Sequence, residues 1–421
     1  MGDFIRREIC EGVAFNSIAD DRFKIGRLSV TLLVPLNRRT AAANALLACV
    51  LTRSCKAYPD MTALNKKLNE LYGAALYAVV RKIGEFQVIT FTASGLEDRY
   101  ALHGESLSSE LAELLCQILL EPNLTDGHFD SEDVEQERRQ LLEDIDAEYN
   151  DKRLYAITRC TEIMCRDELF SISRYGAREE VAALTQEQLV AAWKDLLEKS
   201  KVEIYMQGRA DPTKALERFR DFFGNKPRRL SGSTKIVREV KEVKRIVETD
   251  EITQSKLVMG YRCAYAATNR ERITAMLLSA VLGGTPTSKL FANVREKKSL
   301  CYYCACFCDN EKALLMIDSG VEIANIHKTE EAILEQVELL KDGKITDEEL
   351  VAAKLAVKNA YISAMDSLPS IQVFYIQSIL RSERLSPAEA AELVETITKE
   401  EIVNMAASLQ LDTVFSLVGN E

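Results

Sequence analysis

The densest group of reactive side chains in this sequence is the run Cys301, Cys304, Cys306 and Cys308. A Cys-x-x-Cys pair suits zinc or dithiol chemistry, but a zinc site ordinarily takes a second such pair from a separate segment. In a regular strand Cys304, Cys306 and Cys308 share one face and Cys301 takes the other, so the four do not converge on one ion. They are expected to be small buried hydrophobes, with Cys304 beside Tyr303 a candidate reactive thiol. The three histidines, His103, His128 and His327, fall in separate elements without ligand-like neighbours. No Gly-x-Ser-x-Gly elbow, Walker loop or dinucleotide fingerprint occurs.

The composition is that of an ordinary soluble globular protein. Its 421 residues exceed what one hydrophobic core usually supports, 47% are hydrophobic and 28% charged. A net charge of −11 argues against nucleic acid, which selects a basic footprint. The opening residues from Met1 to Glu8 lack the apolar core of a signal peptide, and Arg6 stands where Gly2 myristoylation wants a small hydroxyl residue. The apolar run Ala41–Leu51 is too short to span a bilayer. Eleven cysteines without a secretory signal imply reduced thiols and a cytoplasmic location.

The elements that must position any site occur twice. Leu184-Thr185-Gln186-Glu187-Gln188 recurs as Ile397-Thr398-Lys399-Glu400-Glu401, each with a threonine able to cap a helix. Each leads into a strand ending in glycine, Val202–Gly208 and Val414–Gly419. Earlier in each half, a strand (Leu28–Val34, Lys256–Tyr261) precedes Asn-Arg and an apolar helix (Ala41–Leu51, Ile273–Leu282). Leu124-Thr125-Asp126 and Ile345-Thr346-Asp347 are expected to open long helices, and Phe86–Ala93 and Ala313–Val321 read as strands. This common order implies internal duplication.

The polar segment from Asn225 to Ser233 reads as an exposed linker. The expected division is 1–224, a linker 225–245, and 246–421, with Lys235–Lys244 a strand entering the second half. Strands separated by pairs of helices imply an α+β fold of two sandwich domains. The charged stretch Glu132–Arg139 reads as the solvated face of a helix whose Val134, Leu141 and Ile145 look inward, and Trp193 as core.

The order of elements, together with Leu282-Gly283-Gly284-Thr285-Pro286-Thr287-Ser288 and Arg295-Glu296-Lys297-Lys298-Ser299-Leu300-Cys301-Tyr302, resembles the pitrilysin/insulinase family of zinc peptidases. Leu68–Ala74 is similar to the segment after that family's zinc motif, and Glu137–Ile145 to the helix carrying its third ligand. The resemblance covers essentially the whole chain and marks it as a degenerate bacterial member. It implies two duplicated α/β sandwich domains, as in the mitochondrial processing peptidase and insulinase-like metallohydrolases.

Active members carry His-x-x-Glu-His, whose histidines bind zinc while the glutamate activates water. The flanks place those positions at Ala45, Ala48 and Cys49, and the third ligand at Asp144, with Glu143 beside it. Two methyl groups can neither ligate a metal nor move a proton, so no metal or other cofactor is expected. The family resemblance further implies that Arg295 and Tyr302 reach towards a scissile carbonyl, where a guanidinium and a phenol can stabilise developing charge. An arginine in a helix's last turn and a tyrosine in a strand also have plain structural explanations. Gly283, Gly284 and Ser288 are equally a peptide-binding turn or a tight connection between helices.

Two functions follow as expectations. The first is the zinc-free subunit of a heterodimeric peptidase, supplying Arg295 and Tyr302 to a peptide held with a zinc-bearing paralogue, or with a second copy of itself. The alternative is a non-enzymatic scaffold binding peptide or protein, possible in the way that some degenerate relatives are associated with modification of elongation factor P. Neither involves nucleic acid or a membrane. Thiol chemistry at Cys301–Cys308 is a third, minor reading.

Overall fold

The computed structural model describes residues 4–224, 226–263, 268–381 and 383–419; Met1, Gly2, Asp3 and Asn225, used in the sequence reading, lie outside the described residues. Contacts divide the chain into two compact units. The first comprises Met1–Asp146 with Ile172–Ser233, the second Ala147–Ser171 with Thr234–Glu421.

The first unit is built on strands β1 (Phe4–Cys10), β2 (Val13–Ala19), β3 (Ile25–Pro35), β4 (Ala75–Ile83), β5 (Phe86–Leu96) and β6 (Lys201–Gly208). They form one sheet in the order β1-β2-β6-β3-β5-β4, antiparallel except for the parallel pair β2 and β6. The helix Ala41–Leu51 is apolar nearly all round and is buried at every position but Cys49, as a core helix should be. It shares one hydrophobic core with the helix Leu107–Leu120 and with Val30, Ile89 and Ile204 of the sheet.

The second unit has strands β7 (Lys244–Asp250), β8 (Ser255–Arg262), β9 (Cys301–Asp309), β10 (Leu314–Val321) and β11 (Gln410–Gly419). Their order is β9-β10-β8-β11-β7, with β11 and β7 the parallel pair. That is the order β4-β5-β3-β6-β2 of the first sheet, strand for strand and with the parallel pair in the same place. The fold is α+β, with each sheet carrying helices on the face that holds its core.

Alternation of side chains gives the second sheet two buried faces. Leu257, Met259 and Ile317 pack with the helices Asn269–Ser279 and Ile326–Lys341. Val258, Met316 and Phe415 point the other way and pack with Ala156, Cys160, Ile163 and Met164. Those four residues belong to the helix Lys152–Met164. The contiguous division at 224 therefore differs from the compact units, because residues 147–171 complete the second one. Gly260 shows how close that helix comes, since a Cβ there would lie 2.8 Å from the Met164 sulfur. The anchor is ionic as well as apolar. Glu168 accepts from Arg262 at 2.6 Å and pairs with Lys312 at 2.6 Å, all three side chains almost wholly buried.

Several local expectations change. The long helix begins at Ser131, not at Thr125, because Leu124–Thr125 pairs with His128–Phe129 in a small hairpin. Its cap is Asp130, which accepts from the amides of Glu132 and Asp133 at 2.9 and 3.0 Å. Thr185, Thr346 and Thr398 do cap their helices through reciprocal capping boxes. Residues 235–243 form no strand; Val240 and Arg238 bond to the Gln410 side chain instead of to a strand backbone. The linker is also tied down, since Arg228 is buried and donates to the carbonyls of Lys226 and Leu197. Trp193 is half-buried and donates to the Leu119 carbonyl at 2.8 Å.

Candidate functional site

In the first unit the positions matched to the zinc motif sit on the helix Ala41–Leu51. Ala45 and Ala48 are 0% and 1% exposed and point into the hydrophobic core. Cys49 points instead towards the helix Ser131–Asn150. Burial, reinforced by the charges of Glu137 and Asp144, pushes its thiol up to about 12. A thiol in that range stays protonated at neutral pH. Asp144 accepts from Gln140 at 3.2 Å, one turn earlier on its own helix. Two core methyls, a protonated thiol and one carboxylate do not fit zinc. Among the described residues no group of three or more His, Cys, Asp or Glu side chains is placed to hold a metal ion.

The residue that organises this region was not singled out by the sequence reading. Arg53, just beyond the first helix, bonds Asp133 at 2.7 Å, Glu137 at 2.8 Å and Gln136 at 3.0 Å. Glu132–Arg139 is thus not simply a solvated face. Its carboxylates one turn apart, Asp133 and Glu137, hold a largely buried guanidinium, and that i, i+4 spacing was the available signal.

In the second unit, Gly283 and Gly284 follow the helix Asn269–Ser279 through a widened π-helical turn, Ala280–Gly284. Gly283 has a packing reason: a Cβ there would come within 2.7 Å of the Cys306 backbone nitrogen and Cβ. Ser288 is fully buried, and its hydroxyl donates to the Thr285 carbonyl at 2.6 Å. Its side chain closes the turn and offers nothing to a peptide. The geometry of Gly283 and Ser288 is that of the tight connection.

Arg295 lies on the next helix, Leu290–Lys297, with its guanidinium 4.5 Å from the centre of the Phe291 ring and 3.5 Å from Glu296. Tyr302, on edge strand β9, is 57% exposed and donates to Glu322 at 3.2 Å. The Glu322 carboxylate raises the phenol above its ordinary range, so Tyr302 is a neutral donor at physiological pH. Both side chains are thus at least partly exposed, and each is paired with a carboxylate.

The cysteine run departs from a regular strand. The pairing of β9 with β10 slips between Cys301 and Tyr303, whose partners are Val321 and Gly320. This bulge brings Cys301 to the same face as Cys304, the two standing opposite Val321 and Ser319 of β10. The expectation that Cys301 faces away is corrected by that one extra residue. Cys304 and Cys306 are buried, Cys301 and Cys308 half-buried. The histidines remain apart: His103 is exposed, His128 lies in the small hairpin, and His327 faces Glu331 at 3.5 Å on an exposed helix face.

The Peptidase M16 inactive domain model matches residues 183–357. A probable inactive metalloprotease of Bacillus subtilis (strain 168), YmfF, is 29% identical over 411 residues, covering 97% of this chain and 96% of that protein. The chain thus resembles the inactive M16 domain over residues 183–357, and a probable inactive metalloprotease along nearly its whole length. It also matches an uncharacterized zinc protease of the same bacterium, YmxG, at 29% identity over 129 residues, 30% of this chain and 31% of that one. Among solved structures, a conserved protein from Enterococcus faecalis V583 superposes with a TM-score of 0.91 at 25% identity, covering 100% of this chain and 99% of that one. A protease from Helicobacter pylori shares the fold at a TM-score of 0.76 and 14% identity, covering 99% and 100%. No helix of the described residues is long and apolar enough to cross a membrane.

Proposed function

We propose that this inactive M16 homologue is the zinc-free subunit of a two-subunit peptidase. In that assembly a zinc-bearing paralogue carries the metal, and this chain presents Arg295 and Tyr302 to the peptide. The carrying observation is the exposed, protonated Tyr302 phenol on the same unit as a half-exposed Arg295. A neutral phenol and a guanidinium are suitable donors to the oxygen that gains charge in a tetrahedral intermediate. The shared strand order of the two sheets supports an origin by internal duplication, and the many unpaired cysteines support a cytoplasmic location.

The test is to mix the purified chain with a zinc-bearing M16 paralogue of the same organism and follow cleavage of a fluorogenic peptide. Hydrolysis is expected only in the mixture, and Arg295→Ala lowers its kcat by about 10²–10³, the usual cost of losing one such donor. Undiminished cleavage with Arg295→Ala refutes the role. The scaffold reading is favoured by the likeness along nearly the whole chain to a protein described as a probable inactive metalloprotease. It predicts a stable complex with a protein or peptide, with elongation factor P modification one setting, and no hydrolysis with any paralogue.

A further inference from the structure

We infer that Cys301 is a modification site, a nucleophilic thiol that a hydroperoxide oxidises and that Cys304 then resolves as a disulfide. This goes beyond the peptidase reading and does not depend on it. The bulge at the start of β9 is what creates the pair. Without it, residues three apart in a strand point to opposite faces; with it, Cys301 and Cys304 are neighbours on one face, opposite Val321 and Ser319. Cys301 is half-exposed at the end of an edge strand, while Cys304 is 4% exposed behind it. A reachable thiol backed by a sheltered one is the arrangement expected of an attacking and a resolving cysteine.

The charges around the pair favour the thiolate at Cys301. The Cys304 thiol, the Ser319 hydroxyl and the Arg295 guanidinium outweigh burial and bring the Cys301 thiol down to about 7. Nearby negative charge is otherwise engaged: Asp318 is paired with Arg153, and Glu322 accepts from Tyr302. Other thiols go the opposite way, with burial pushing Cys116 and Cys308 up to about 12 and Cys263 to about 11. Thiolate, not thiol, is the reactive form, so selectivity for Cys301 follows.

In the first step the Cys301 sulfur attacks a peroxide oxygen and the O–O bond breaks. The leaving hydroxide takes up a proton and departs as water (or as alcohol from an alkyl hydroperoxide). Cys301 is thereby oxidised to a sulfenic acid and the peroxide reduced. The Cys304 sulfur then attacks the Cys301 sulfur, and the sulfenic hydroxyl leaves with the Cys304 proton as a second water.

The full-length protein is pulsed with iodoacetamide across a pH series, and each cysteine is followed by peptide mass mapping. Cys301 alkylation is expected to be half-maximal near pH 7, against about 8.5 for an unperturbed thiol. Stoichiometric hydrogen peroxide is then expected to give a Cys301–Cys304 linked peptide. Cys304→Ser instead accumulates sulfenic acid at Cys301, trapped by dimedone, and Cys301→Ser abolishes both products. A Cys301 midpoint at or above about 8.5 overturns the inference, and so does the absence of a Cys301–Cys304 linked peptide after peroxide treatment of the unaltered protein. The alkylation profile uses the unaltered protein, so the result stands even if a serine variant folds poorly.

Discussion

Replacing Glu168 by alanine tests whether residues 147–171 are a structural part of the second unit. The Glu168 side chain is 4% exposed and is bound to Arg262 and Lys312, which are 3% and 0% exposed. Asp412, 3.0 Å from Arg262, is the other carboxylate of the cluster. Removing Glu168 leaves Lys312 without that carboxylate and Arg262 with one carboxylate instead of two, beside its bond to the Met164 carbonyl. Breaking a buried pair from one side costs about 3–5 kcal/mol, because the remaining charge is stranded away from water. At about 2–4 °C per kcal/mol for a unit of this size, the midpoint of the affected transition falls by roughly 6–20 °C. The assay is thermal unfolding followed by far-UV circular dichroism, which sees both units, beside fluorescence of Trp193, which lies in the first. The loss also depends on pH in a stated direction. Burial raises the Glu168 carboxyl, but the bonds from Arg262 and Lys312 outweigh it, leaving a net lowering from 4.5. A lowered carboxyl contributes its full stabilisation above the unfolded value and loses it as pH falls through the folded one. The gap between wild type and Glu168→Ala is therefore constant above about pH 5.5 and closes in acid below 4.5. A shift under about 1 kcal/mol at pH 7, or a gap that widens in acid, refutes the anchoring role.

Two further substitutions probe the candidate regions. Arg53→Ala removes a largely buried guanidinium from Asp133 and Glu137; a loss of about 1–3 kcal/mol is expected, between exposed and fully buried pairs. It is read from the Trp193 fluorescence transition in urea, and an unchanged midpoint contradicts it. Gly283→Ala forces a methyl to 2.7 Å from the Cys306 backbone, at a cost of about 1–3 kcal/mol by overpacking. Far-UV circular dichroism in urea measures it, and a neutral or stabilising effect returns Gly283 to the list of surface-facing candidates.

What could be read from the sequence was whatever local physics determines. Apart from Asn44, Ala41–Leu51 is apolar on every side, so its helix and burial follow from composition. Thr185 and Thr398 each sit three residues before Gln188 and Glu401, and both capping boxes form as that spacing requires. The absence of a zinc donor set at Ala45 and Ala48 was equally legible, since no fold can make a methyl group a ligand. The misreadings share a different cause. Residues 147–171 resemble any amphipathic segment, and only the complementary surface of Val258, Met316 and Phe415 decides which sheet they cover. Cys301 was assigned to the wrong face because alternation assumes an unbroken register, and one bulge between Cys301 and Tyr303 resets it.

That bulge also joins the two chemically distinct features of the second unit. Arg295 is both the guanidinium proposed to meet a carbonyl and a charge that favours the Cys301 thiolate. Tyr302 is the residue within the bulge itself, between Cys301 and Tyr303. Drawing Cys301 and Cys304 into a disulfide would remove the thiolate from beside Arg295 and fix the backbone that carries the phenol. The surface proposed as a donor to a partner's substrate therefore shares its charge and its geometry with the short stretch that places Cys301 beside Cys304.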